Sequence, residues 1–174
     1  MGFDFRFREV DSTRDLKMLV DFLMKQTLGY PGYEDWVQKT EHEIDVGYKK
    51  TIMAFSGSHL VGDCIFQSHK DLPRTRELKN LRIHPEVRNR YFGVFMLKQA
   101  EVENKKDYDV IICDARTDRH DVANLLTFMG YTPLMSTSLY DRNAVDTVYL
   151  KTFNKRTEQG ILYRAKELIA NRSL

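Results

Sequence analysis

The stretch Leu81-Arg-Ile-His-Pro-Glu-Val-Arg-Asn-Arg-Tyr-Phe-Gly-Val-Phe-Met-Leu97 constrains the fold more than any other part of the chain. It reads as a strand that runs through a basic, glycine-bearing turn straight into a helix. Backbone N–H groups at the start of a helix have no intrahelical partner and sit at the positive end of its dipole. Arg88, Asn89 and Arg90 therefore crown a site suited to phosphate. The helix, expected over residues 89 to 105, carries Phe92, Phe95, Met96, Ala100 and Val102 for burial. A compact Val-Ile-Ile-Cys run within residues 109 to 115 follows, and a crossover of this kind predicts that it lies parallel to the strand before the helix.

The flanking segments build a sheet around this unit. Phe3, Phe5 and Phe7 alternate with Asp4, Arg6 and Arg8, the period of a half-buried strand. Ser12 to Asp15 offers a helix start, after which Leu16, Leu19, Val20 and Leu23 recur at helical spacing. Residues 33 to 48 read as a second, more exposed helix with Trp36, Val37 and Ile44. Thr51 to Phe55 and Leu60 to Gln67 make a hairpin across Ser56-Gly57-Ser58, and Glu77 to Ile83 is the strand leading into the basic turn. Residues 118 to 129 form a helix ended by Gly130, and strands near 132 to 141 and 146 to 153 close the sheet. Residues 157 to 172 form an amphipathic helix with Ile161, Leu162, Ala165, Leu168 and Ile169 on one face. The expected class is α/β (α+β), a mixed central sheet in the order β-α-α-β-β-β-α-β-α-β-β with an added C-terminal helix. Residues 1 to 154 are expected to form the domain and residues 155 to 174 its extension.

Composition narrows the function classes. A chain of 174 residues with 42% hydrophobic residues suits one compact domain. Apolar runs are far shorter than the roughly 20 residues that span a bilayer, and nothing at the N-terminus resembles a signal peptide, so a cytoplasmic location is expected. The net charge of +2, from 27 basic and 25 acidic residues, gives no general reason to expect nucleic acid or a membrane as partner. Cys64 and Cys113 sit in strand-like apolar runs and read as reduced core residues. His42-Glu43 lacks the second histidine of a zinc-protease motif, and no metal is expected. The basic residues Lys151, Lys155, Arg156, Arg164, Lys166 and Arg172 read as a solvated helix face.

The turn resembles motif A of the GCN5-related N-acetyltransferases, the GNAT family, whose pattern is roughly L-x-V-x-P-x-x-[RQ]-x-x-G-x-[GA]. Leu81, Ile83, Pro85, Arg88 and Gly93 match it, while Tyr91 stands where the family has its first glycine. Arg119-x-x-Val122-x-x-Leu125-Leu126-x-x-x-Gly130-Tyr131 is similar to motif B, N-x-x-A-x-x-L-Y-x-x-x-G-F, with Arg119 replacing the asparagine and Leu126 the tyrosine. The element order agrees with the family's, over about residues 3 to 153.

The resemblance implies acetyl-coenzyme A as co-substrate. Leu81, Arg82 and Ile83 would meet the pantetheine arm, and Arg88, Asn89, Arg90, Tyr91, Phe92, Gly93 and Val94 the pyrophosphate. Arg119 would reach the adenosine phosphate or cap its helix. The acceptor is a small-molecule or peptide amine attacking the thioester directly, which needs a base. A lysine-type amine with a pKa of about 10.4 is neutral in only roughly one molecule per thousand at pH 7. Glu77, six residues before Ile83 on the same strand, is the candidate base. With Leu126 in place of the usual tyrosine, Tyr131, Tyr140 or a bound water stands in as acid; Tyr140 is the residue selected. The alternative is a non-catalytic module of this fold that binds coenzyme A or a protein partner. A homodimer built through the terminal helix stays open.

Overall fold

A computed structural model describes residues 4–26, 29–88, 91–154 and 158–171. Phe3, Asn89, Arg90 and both ends of the expected terminal helix lie outside the described residues. The elements are β1 (Phe5–Glu9), α1 (Thr13–Met24), α2 (Tyr33–Asp45), β2 (Lys50–Ser56), β3 (His59–Ser68), β4 (Thr75–Ile83), α3 (Phe92–Val102), β5 (Val110–Arg116), α4 (His120–Phe128), β6 (Thr132–Thr137), β7 (Asp146–Thr152) and α5 (Glu158–Ala170). The expected mixed α/β order is thus the observed one. The seven strands follow the order β1-β2-β3-β4-β5-β7-β6. β4 and β5 run parallel with Glu77 opposite Ile112, as the crossover requires. The pairs β1–β2, β2–β3, β5–β7 and β6–β7 are antiparallel.

The chain divides into two units, Met1–Gln67 with Lys79–Ala100, and Ser68–Leu78 with Glu101–Leu174. In the first, the Ser12 hydroxyl caps α1 by accepting from the Asp15 N–H at 3.2 Å. The Asp15 carboxylate accepts both arms of the Arg8 guanidinium, which hold it well below the usual carboxylate range. Leu16, Leu19 and Leu23 pack with Val37 and Ile44 of α2 and with Met53, Phe55 and Ile65 of the hairpin. α2 is the more exposed of the two helices, as expected, and buries one stripe of Tyr33, Val37, Thr40 and Ile44. The Tyr33 hydroxyl is satisfied by the Leu23 carbonyl at 2.9 Å.

α3 begins later than expected and turns a different face inward. Phe92, Met96, Leu97 and Ala100 are buried, whereas Phe95 and Val102 are 54% and 59% exposed. Spacing explains this: 92, 96 and 100 share one helical face, and 95 and 102, seven apart, share another. Phe92 meets Phe5 edge to face, with centroids 4.6 Å apart. Beneath the helix lies Gly62 of β3, where a Cβ would stand 2.8 Å from Met96 Sδ, 2.9 Å from the Arg82 carbonyl oxygen and 3.0 Å from Ile83 Cδ1. Only glycine admits this approach.

In the second unit, α5 sets Ala165 and Ile169 against Leu72, Ile112 and Val148, and Ile161 against Val110 and Leu150. Lys151 of β7 donates to Glu101 Oε1 and to the Met129 carbonyl, both at 2.6 Å. β6 ends at Thr137, short of the expected residue 141. Gly130 has φ +82, the left-handed cap expected after α4. Both cysteines are buried, and neither is in a disulfide. Among the described residues no helix is long and apolar enough to cross a membrane.

Candidate functional site

The turn after β4 is built in steps. The His84 N–H donates to the Val61 carbonyl at 2.8 Å, tying the strand end to β3. Pro85–Val87 make one tight turn capped by the His84 ring, which accepts from the Glu86 N–H at 3.3 Å. Arg88 folds back, its Nε donating to the Ile83 carbonyl at 3.2 Å. Tyr91 then opens α3: its carbonyl accepts from the Phe95 N–H at 3.1 Å, and its φ is 62°.

This is the conformation of a glycine. Gly32 opens α2 with the same φ of 62° and the same bond, from the Trp36 N–H at 3.0 Å. A left-handed residue with a side chain costs about 1 kcal/mol or more, yet Tyr91 holds this backbone with its ring 71% exposed. The ring points to solvent and does not pack into the fold. Leu81 and Ile83 are half-buried on β4. The Phe92 side chain lies in the core, so it offers only its backbone. Arg82 is 6% exposed, with Nε donating to Asn80 Oδ1 at 3.0 Å and its guanidinium 4.8 Å from the Tyr33 ring. The Arg82 carbonyl lies against Gly62 of β3. Gly93 and Val94 lie in the first turn of α3.

The second unit gathers another group. The Tyr140 hydroxyl donates to Asp114 Oδ1 at 3.0 Å. Burial and the carboxylates of Asp114, Glu77 and Asp146 push this hydroxyl well above the usual tyrosine range. The residue is 45% exposed, so the carboxylates, Asp114 foremost, are the firmer cause. Glu77 and Tyr140, selected separately from the sequence, thus lie in one electrostatic group. Asp114 and Asp146 were missed. Asp114 is the one carboxylate of β5, between the buried Cys113 and Ala115, which is the available signal. Asp146 is 1% exposed and pushed up by burial, with Oδ2 accepting from the Leu139 N–H at 3.4 Å.

Arg119 begins α4 and makes a two-pronged bond to Asp121, at 3.0 and 2.9 Å. Leu126 is buried, and so is Tyr131, with Lys151 Nζ 5.3 Å from its ring. Among the described residues, no three His, Cys, Asp or Glu side chains gather as a metal site.

No protein-family profile matches the sequence, and no curated protein matches it. Solved structures do. An acetyltransferase of the GNAT family from Streptococcus pneumoniae superposes with a TM-score of 0.72 at 14% identity, over 87% of this chain and 100% of the other. The chain has the GNAT fold. The ribosomal-protein-S18-alanine N-acetyltransferase of Escherichia coli gives 0.71 at 13% identity, over 87% and 95%. A Salmonella typhimurium protein assigned as an acetyltransferase and solved with its cofactor acetyl-CoA gives 0.66 at 12%, over 87% and 95%. Within the GNAT fold, Tyr91, Arg119 and Leu126 are among the positions where this chain departs from the motifs.

Proposed function

We propose that the protein is a cytoplasmic N-acetyltransferase moving acetyl from acetyl-coenzyme A to a small-molecule or peptide amine. The observation that carries this is Tyr91: a bulky residue holds the glycine-type backbone that opens α3 behind β4, with its ring out of the way. The residues fit the co-substrate. Backbone groups of Leu81 and Ile83, on either side of Arg82, would take the pantetheine arm, with Arg88 exchanging its bond to the Ile83 carbonyl for a ligand contact. Arg88, Asn89, Arg90 and the N–H groups of Tyr91, Phe92, Gly93 and Val94 would hold the pyrophosphate, and Arg119 the adenosine phosphate.

Bound coenzyme supplies a thioester for direct attack by the amine. Glu77 takes the amine's proton in this reading. Tyr140, kept protonated by the carboxylates around it, is the group for the departing sulfur and not a base: its single hydroxyl proton, which Asp114 accepts in the structure, would turn to hydrogen-bond the thiolate, which takes its final proton from solvent. Calorimetry with acetyl-coenzyme A tests the first half, and no binding at tens of micromolar would sink it. Glu77→Gln should lower the rate by about a hundredfold and change its pH profile, with cofactor affinity unchanged; an unaltered profile moves the base elsewhere.

Tyr91→Gly should leave the cofactor Kd within about threefold, because the ring faces solvent. The same substitution should raise stability by up to about 1 kcal/mol as the left-handed strain is relieved. A large gain in affinity would show instead that the ring obstructs the phosphates. The buried Leu126, where motif B has its tyrosine, favours a second reading, a coenzyme A-binding module without turnover. A thiol-release assay against amines, peptides and polyamines separates the two.

A further inference from the structure

Asp63 is the only charged residue in the buried part of β3, and it is 0% exposed. Its Oδ2 accepts from Asn80 Nδ2 at 2.6 Å, while Oδ1 has no hydrogen-bond partner among the described residues. The contacts run onward: Asn80 Oδ1 accepts from Arg82 Nε, and the Arg82 guanidinium lies over the Tyr33 ring. Tyr33 stacks on Trp36 with centroids 5.8 Å apart and planes 24° apart. Lys49 Nζ lies 5.4 Å from the Trp36 ring, itself held by Glu43 at 2.7 Å and Thr40 at 2.9 Å. A single buried carboxylate is thereby linked through β4 to the start of α2.

A carboxylate buried with one oxygen unsatisfied works against the fold. Hydrophobic or neutral side chains of its size would serve packing better. We propose that Asp63 is a positioning residue whose charge, acting through Asn80 and Arg82, sets how β4 and the Tyr33–Trp36 corner are held, and so how tightly β4 presents coenzyme A. The last clause rests on the acetyltransferase reading; the first does not. When charged, Asp63 attracts Arg82 and aligns the Asn80 amide. When protonated it loses the attraction, and Arg82 is left to the Tyr33 ring and its remaining contacts. Burial pushes the Asp63 carboxyl up to about 7, against the opposing pull of Asn80 and Arg82, which places the change in the neutral range. Among the described residues, the charged and titratable groups acting along this chain of contacts are Arg82, Tyr33, Lys49 and Glu43, together with Lys79 and Lys39 acting on Lys49.

The protein carries its own reporter, since Trp36 is its single tryptophan. Asp63→Asn mimics the protonated side chain. Wild type and variant should show the same Trp36 emission at pH 6 and part by pH 8, with a midpoint near 7. Calorimetry with coenzyme A should give similar Kd values at pH 6, and at pH 8 an affinity at least about threefold higher for the wild type; the ligand's own titration cancels in that ratio. Asn80→Leu removes the amide that favours the charged form and should move the midpoint upward, should Asp63→Asn fold poorly. A transition absent from the wild type, or present unchanged in Asp63→Asn, overturns the proposal, and so does a constant affinity ratio. If coenzyme A binds neither protein, the acetyltransferase reading has failed, and the Trp36 transition alone decides whether Asp63 sets the corner.

Discussion

Gly62→Ala should destabilise the protein by about 2–3 kcal/mol and lower Tm by about 4–12 °C in a calorimetric scan. The added methyl group would stand 2.8 Å from Met96 Sδ and 2.9 Å from the Arg82 carbonyl oxygen. The methionine can swing away, because its side chain is flexible. The carbonyl belongs to β4 and cannot move without the strand, so relief must come from parting β4 from β3 beneath the start of α3. That motion also displaces the turn that opens α3, so coenzyme A affinity should fall with Tm. Gly160 supplies the control: it lies in α5, and a Cβ there would meet nothing within 4 Å. Gly160→Ala should raise stability by about 0.5–1 kcal/mol, the ordinary helix preference. An unchanged Tm in Gly62→Ala would mean that β4 and α3 are not seated closely on β3.

Much of this frame is written in local sequence. Ser56-Gly57-Ser58 between two β-prone runs gives the β2–β3 hairpin, and Ser12 three residues before Asp15 gives the start of α1. The parallel pairing of β4 with β5 follows from a strand, a helix and a strand in succession, because a right-handed crossover leaves little alternative. The site is legible only in part. Periodicity assigned Phe95 and Val102 to the core, since any apolar residue of α3 looks available until the helix has a partner to choose its face. The left-handed Tyr91 is invisible in sequence, because a tyrosine argues against the backbone it adopts. Asp63 and Asp114 carry a usable signal: each is the lone carboxylate of its strand with buried neighbours on both sides, Asp63 fully buried and Asp114 half-buried.

Asp63→Asn should stabilise the protein at pH 8 by about 4 kcal/mol and leave it nearly unchanged at pH 4. In the unfolded chain the Asp63 carboxyl ionises near its ordinary value of 3.8, and in the folded protein at about 7. Between these values the folded state keeps a proton that the unfolded state has released. The stability tied to that proton is complete below about pH 3.8, declines as pH rises, and is lost once pH passes the folded value near 7. Three pH units of such a shift correspond to about 4 kcal/mol. The variant has no proton to lose, so its curve lacks this decline, while the acid-side loss from protonating Asp15, whose folded carboxyl is held low, remains in both. Urea unfolding at pH 4, 6 and 8 reads the difference directly, with the two curves already separated at pH 6 although the folded states are then alike. Parallel curves would show that the folded protein does not resist ionising Asp63. Against a total stability of about 5–15 kcal/mol, 4 kcal/mol is a large penalty at neutral pH. Packing does not account for a residue that carries it, and the contacts from Asp63 to β4 and to Trp36 supply the role that packing leaves open.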